Sequence, residues 1–191
     1  MKYSIVIPTY NNCEKYLKPC IDSIVRWTDM ADVELVISAN GCTDNTKPYL
    51  DYLKATIPNL KVVWHDEPLG YPKAINVGVA VASAQKIILL NNDIVLLEQT
   101  KNQWLEILEK PFANEKCGIS CIIKQRSDAA NHDFAVFFCV MIDKQVFNTI
   151  GYLDESFGIG SGEDVDFCIR AEQAGFEVLE VFAKIHTGEF Y

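Results

Sequence analysis

Positive charge is scarce in this chain: 17 Lys and Arg stand against 26 Asp and Glu, for a formal net charge of −9. The basic residues are scattered and form no stripe, which argues against a nucleic-acid surface. The same deficit means that a polyanionic ligand needs a cation as go-between. No apolar run approaches the roughly 20 residues of a membrane span. The opening Met1-Lys2-Tyr3-Ser4-Ile5-Val6-Ile7-Pro8 is too short and too strand-like for a signal peptide. None of the seven cysteines forms a C-x-x-C pair, so neither a zinc site nor a disulfide framework is suggested. Reduced thiols in a cytosolic setting are the expectation. No G-x-G-x-x-G follows the first apolar segment, which disfavours a dinucleotide cofactor, and the lack of G-x-x-x-x-G-K-[ST] excludes a P-loop. Repeats, linkers and low-complexity segments are lacking too. A chain of 191 residues is therefore expected to be one domain, 1–191, with a sizeable core.

What is present centres on Ile87-Ile88-Leu89-Leu90-Asn91-Asn92-Asp93-Ile94-Val95. An uninterrupted apolar run of strand length reads as a strand buried on both faces. A bare carboxylate inside such a core costs several kcal/mol unless paired or metal-bound. Asp93 is therefore expected where the strand emerges. In open α/β sheets that carboxyl end is where ligands bind.

The rest of the first half alternates. Strands are expected at residues 3–7, 33–37 and 60–64, and helices at 14–27, 43–55 and 71–83, with Thr43 or Asp44 as a cap and Pro72 in a first turn. Alternation of this kind predicts an α/β fold: a mostly parallel sheet with helices on both faces. In the second half, a helix is expected at 100–109 and a strand at 118–123. Residues 124–133 read as a polar, irregular loop, and 134–142 as one apolar strand. Helices follow at 144–150 and 163–174, the latter capped by Ser161, then a strand at 177–181 and a closing loop at 184–188.

Three loops leave carboxyl ends of expected strands: Pro8-Thr9-Tyr10-Asn11, Asn40-Gly41 and Asn91-Asn92-Asp93. A doubly wound sheet brings them to one crevice, where side chains and loop backbone must read a nucleotide. Asn and Thr also favour turns for their own sake. Asp93 is a candidate ligand for Mn²⁺ or Mg²⁺, since one carboxylate plus phosphate oxygens and waters is a normal cation shell. His186 is a candidate second ligand, and imidazole tilts the choice towards Mn²⁺. Glu163-Asp164-Val165-Asp166 opens a helix. The acids there complement its dipole, and Asp166 and Arg170 have the spacing of an ion pair. A carboxylate beside the glycine-rich segment 157–162 also suits a general base that takes a proton from an attacking hydroxyl.

These residues together resemble the family 2 glycosyltransferases of GT-A fold. Ser4-Ile5-Val6-Ile7-Pro8-Thr9-Tyr10-Asn11 is similar to the family's opening, and Asn40-Gly41-Cys42-Thr43-Asp44 to its D-[DN]-G-S-x-D. Gly70-Tyr71-Pro72-Lys73-Ala74-Ile75-Asn76-Val77-Gly78 resembles its G-x-x-x-A-x-N-x-G. Asn91-Asn92-Asp93 falls at its D-x-D, and Gly162-Glu163-Asp164-Val165-Asp166 at its G-E-D-x-D. The resemblance implies inverting transfer of a sugar from a nucleoside diphosphate, most simply UDP- or dTDP-linked, to a glycan or lipid-linked acceptor. It implies a donor half at about 1–95 and an acceptor half at about 96–191. Pro8, Thr9, Tyr10, Asn11 and Asn40 would meet the nucleoside. Gly70, Lys73, Asn91 and Asn92 would lie along the donor, with Asn76 bracing the Lys73 loop. Asp93 and His186 would hold the metal; Asp164 would be the base and Glu163 would orient the acceptor.

Two positions depart from the pattern. Ala39 stands where the family often has an acid, and Asn91 replaces the first aspartate of D-x-D, as in a rhamnosyltransferase-like branch. The chain also ends soon after His186, where family members usually continue, as in a minimal enzyme, a truncated chain or one module of a larger assembly. A non-catalytic nucleotide-sugar or glycan-binding module is the second reading. A GT-A-like nucleotidyltransferase is the third, although Pro8-Thr9-Tyr10-Asn11 lacks the glycine and basic residues of such enzymes. Cytoplasmic placement, or a position peripheral to a membrane, completes these expectations.

Overall fold

The computed structural model describes residues 1–183 and 185–187, with His186 and Thr187 described by backbone alone. In chain order the first half runs β1 (Tyr3–Thr9), α1 (Lys18–Trp27), β2 (Val33–Asn40), α2 (Thr46–Thr56), β3 (Leu60–His65), α3 (Tyr71–Val81), β4 (Lys86–Leu90). The second half runs β5 (Ile94–Leu96), α4 (Gln103–Glu109), β6 (Cys117–Cys121), β7 (Lys124–Ser127), β8 (His132–Ala135), β9 (Cys139–Asp143), α5 (Lys144–Ile150), α6 (Glu163–Gln173), β10 (Glu177–Glu180) and β11 (Ile185–Thr187).

A seven-stranded sheet has the order β10-β6-β9-β4-β1-β2-β3, and only β9 runs against the others. Side chains alternate across its faces, as the pleat requires. Ile5, Ile7, Leu35, Ile37, Ile88 and Leu90 face one core with α1, α2 and α4. Val6, Val36, Ile87 and Leu89 face a second core with α3, α5 and α6. The sandwich of helices on both faces matches the pattern of continuous apolar strands. No described helix is long and apolar enough to cross a membrane.

Four expectations are corrected. Residues 124–133 are not irregular: they supply β7 and part of β8, an antiparallel hairpin in which Arg126 opposes Asp133 at 2.9 Å. Its polarity reflects exposure, and a cross-strand ion pair serves where apolar alternation is absent. The apolar run 134–142 is two elements rather than one strand. It breaks at Val136-Phe137-Phe138, where Phe137 joins one core and Phe138 the other. Hydropathy does not register a break whose residues are buried on both sides. The first helix begins as a wide π turn, Cys13–Leu17, before α1. Pro19 has no N–H to donate, so regular α pairing starts only around it. Residues 185–187 are a strand, not a loop, paired antiparallel with β5 through Ile185↔Leu96, His186↔Val95 and Thr187↔Ile94.

Candidate active site at the carboxyl ends of the parallel strands

Strands β1, β2 and β4 end side by side, and the loops after them build a cleft of about 540 Å³. That volume is ordinary for a small-molecule site. Pro8, Thr9, Tyr10, Asn40, Gly70, Asn91, Asn92 and Asp93 line it, as the sequence pattern anticipates. Asn12, Tyr16, Pro68, Tyr71 and Ile159 line it as well and were not singled out. Ile159 carried a signal, an apolar residue between two glycines, and it is 93% exposed.

The loops hold one another. Asn11 and Asn12 are both left-handed, at φ 53° and 56°, a conformation Asn tolerates better than most residues. Asn11 does not line the cleft: its Oδ1 accepts from the Thr43 N–H at 2.8 Å and joins the first loop to the second. Asn40 faces the cleft but spends its amide on the loop between β3 and α3. Oδ1 accepts from Leu69 N–H at 2.5 Å, and Nδ2 donates to the Gly70 carbonyl at 3.4 Å. Asn92 Nδ2 donates to Thr9 Oγ1 at 2.9 Å. Gly70 has φ +84°, and a Cβ there would collide with the Gly158 carbonyl. Its close approach lets segment 158–160 close one side of the cleft.

Lys73 and Asn76 also stand behind the wall rather than in it. Lys73 Nζ is half-exposed and 4.0 Å from Glu155. Asn76 is buried. It pairs with both backbone groups of Leu153, at 2.9 and 3.0 Å, and donates to Glu155 Oε1 at 3.1 Å. It therefore braces the segment after α5 rather than its own loop.

The carboxylates differ sharply in environment. Burial pushes the Asp93 carboxyl above its ordinary value, opposed only by its own backbone N–H. At the start of α6, burial and then the neighbouring Glu163 push Asp164 up as well. The N–H groups of Val165, at 2.9 Å, and Phe137 hold it partly back. Glu163 is 7% exposed, and its Oε2 has no hydrogen-bond partner among the described residues. Ser161 does not cap this helix; Gly162 occupies that position with no side-chain bond. Asp166 pairs with Arg170 at 2.7 Å, and Arg170 also donates to the Ile150 and Tyr152 carbonyls, so Asp166 has a structural task.

Among the described residues lining the cleft there is one carboxylate, Asp93, and no Lys or Arg. A half-buried hard oxygen donor with no cationic partner among the described residues is the chemistry that fits a divalent cation completing its shell with phosphate oxygens. His186 lies opposite Val95 in the β5–β11 pair, two residues from Asp93; its side chain falls outside the described residues. The described residues contain no cluster of three or more His, Cys, Asp or Glu able to hold a metal by themselves. A shell here would thus depend on ligand oxygens. The seven cysteines are buried free thiols.

Known proteins bear on this architecture. A mannosyltransferase from Pyrobaculum calidifontis, solved with GDP-Man and Mn²⁺, superposes with a TM-score of 0.79 at 16% identity, covering 95% of this chain and 55% of that one. S. aureus TarS 1-349 in complex with UDP-GlcNAc superposes at 0.73 with 19% identity, covering 100% of this chain and 59% of that one. These likenesses show the GT-A fold. Glycosyltransferase GlyG of Streptococcus pneumoniae is 28% identical over 95 residues, which are 50% of this chain and 31% of that protein. The chain thus spans only part of the length of such relatives. The family described as "Glycosyl transferase family 2" matches residues 4–160, which hold all three strand-end loops of the cleft. With the GT-A sheet and the cleft at its strand ends, that match establishes that the chain belongs to glycosyl transferase family 2.

Proposed function

We propose that this chain is an inverting glycosyltransferase. It moves a hexose or deoxyhexose from a nucleoside-diphosphate sugar, UDP- or dTDP-linked, to a hydroxyl of a glycan or lipid-linked acceptor. One observation carries the reading: Asp93 in the cleft and Asp164 at the start of α6 are both raised by burial, while the described cleft wall has no Lys or Arg. A binding module has no need of desolvated carboxylates, whereas a transferase needs a base for the incoming hydroxyl. Solved relatives with GDP-Man and Mn²⁺ or with UDP-GlcNAc support a nucleotide-sugar donor and a divalent cation.

In this reading, Pro8, Thr9, Tyr10 and Asn40 bound the nucleoside, with Asn11 fixing the loop behind them. Gly70, Asn91 and Asn92 border the diphosphate and sugar, with Lys73 and Asn76 supporting from behind. Asp93 would hold Mn²⁺ or Mg²⁺ with His186 as second ligand, and the cation would supply charge neutralisation to the departing diphosphate. Asp164 accepts the proton of the acceptor hydroxyl as its oxygen bonds to the anomeric carbon. The bond from that carbon to the diphosphate oxygen breaks on the opposite face, so the configuration inverts. A raised pKa strengthens Asp164 as a base. Glu163, whose Oε2 has no partner among the described residues, orients the acceptor. Asn91 in place of an acid favours a rhamnosyltransferase-like donor. A single domain, with donor half 1–95 and acceptor half 96–191, works in the cytoplasm or against a membrane surface.

The test is nucleotide release from UDP-, dTDP- and GDP-sugars with Mn²⁺ or with EDTA. Release that requires Mn²⁺ is expected. Nucleotide binding without metal-dependent turnover on any acceptor would support the binding module instead.

A further inference from the structure

The cleft lining includes a side chain to which the proposed mechanism gives no task. Tyr71 is the first residue of α3, and its ring lines the cleft. Its hydroxyl lies 2.8 Å from the Phe137 carbonyl and 3.2 Å from Asn91 Oδ1. The hydroxyl is the donor to both acceptors, its single proton directed chiefly at the nearer Phe137 carbonyl and shared with Asn91 Oδ1. Burial, and then the charges of Glu163, Asp164 and Asp93, push the phenol upward, so it stays a proton donor.

The turn Val136-Phe137-Phe138 is what Tyr71 grips. Three contacts converge on two of its residues. The Phe137 carbonyl takes the Tyr71 hydroxyl, the Phe137 ring packs edge-on against Phe167 of α6 with centroids 5.7 Å apart, and the Phe138 carbonyl accepts from the Asn91 N–H at 2.9 Å. The helix α6, which carries Asp164 in its first turn, and the Asn91–Asp93 segment are thus both packed on one short break between β8 and β9. Tyr71 is the side chain that bridges this turn to Asn91. Gly160 lies over it, where a Cβ would be 3.5 Å from the Tyr71 Cβ, so the glycine-rich segment rests on the same residue.

We propose that Tyr71 is a positioning residue: through the Phe137 carbonyl and Asn91 it sets the placement of Asp164 relative to Asp93, and so the alignment of acceptor and leaving group. The proposal rests on the glycosyltransferase reading above. An error of placement weakens the transition state more than ground-state donor binding, because orientation matters most at the reacting atoms. Loss of the hydroxyl therefore lowers kcat and leaves the donor KM in place.

The experiment compares wild type with Tyr71→Phe, following Mn²⁺-dependent nucleotide release from the best donor of the UDP-, dTDP- and GDP-sugar panel. A fall in kcat of about 10-fold, with donor KM within about twofold, is expected. p-Aminophenylalanine at position 71 restores a donor on the same ring. It is expected to recover most of the lost kcat, and it remains informative should Tyr71→Phe melt below the assay temperature. A Tyr71→Phe enzyme equal to wild type in kcat overturns the role of Tyr71 and leaves the functional reading intact. So does an equal loss of folded protein and activity that the amino variant does not repair. Wild type without metal-dependent release overturns the functional reading, and this proposal falls with it.

Discussion

The two ends of the sheet treat a buried carboxylate in opposite ways. At the amino ends of the strands, Glu34 is 3% exposed and saturated with partners. Ser4 Oγ donates at 2.6 Å, the Ser83 N–H at 2.8 Å and Ser83 Oγ at 2.9 Å, while Lys61 Nζ closes the pair at 2.5 Å. Burial pushes its pKa up, but Lys61, Ser4 and Ser83 outweigh burial and bring it down to about 2. At the carboxyl ends, Asp93 and Asp164 are also desolvated, yet few donors answer them and both are raised. Glu34 is a fastener. Asp93 and Asp164 are held in a costly state that a ligand, a cation or a proton relieves. Unspent electrostatic demand, rather than burial, separates the functional end from the structural end.

Three variants test that contrast, and the largest effect belongs to the base. Asp164→Asn keeps the shape of the side chain but cannot take a proton. Transfer is expected to fall by about 10³-fold, with donor binding followed by titration left intact. Full activity in that variant would remove Asp164 from the mechanism. Next comes the fastener. Glu34→Ala leaves Lys61, Ser4 and the Ser83 N–H without their acceptor. It is expected to cost about 3 kcal/mol in urea unfolding. A loss within about 0.5 kcal/mol would show that water replaces the carboxylate freely.

The smallest effect has the opposite sign. In EDTA at pH 7, Asp93→Asn is expected to raise the melting temperature by about 1–2 °C, because it removes a desolvated charge. The pH dependence follows from linkage. The Glu34 carboxyl is lowered from 4.5 to about 2, so its contribution is full above 4.5 and is lost as pH falls through that window. The Asp93 and Asp164 carboxyls are raised above 3.8, so the folded state holds their protons more tightly. Their contribution favours folding at low pH and is lost as pH rises through the raised values. An acid-unfolding series should therefore show Glu34→Ala losing its deficit at low pH, and Asp93→Asn losing its advantage there. A melting temperature for Asp93→Asn below that of wild type would break the contrast.

Much of this was legible beforehand where one residue's chemistry decides its place. The run Ile87–Leu90 had to be buried, and Asp93 had to leave it at the end. Pro72 and Gly151 mark a helix start and a helix stop. The site was less legible where a residue's partner lies far along the chain. Asn11 and Asn40 read as ligand contacts because amides suit ligands, and Asn76 as a brace for the Lys73 loop, but each spends hydrogen bonds on backbone 29 to 77 residues away. Tyr71 lies inside the 70–78 motif with no role that its neighbours in sequence reveal, since its partners Asn91 and Phe137 are 20 and 66 residues away.

The amino-acid order alone specified the alternating strands and helices, the mostly parallel sheet and the strand-end placement of Thr9, Asn40 and Asp93. Those follow from local periodicity and from the cost of burying a carboxylate, both readable over a few residues. Tertiary structure alone decided that β9 runs antiparallel, that residues 124–135 form a hairpin and that β11 pairs with β5. It also decided which carboxylates stay unanswered. Register and hydrogen-bond satisfaction depend on what distant segments bring into reach, and no local pattern encodes that.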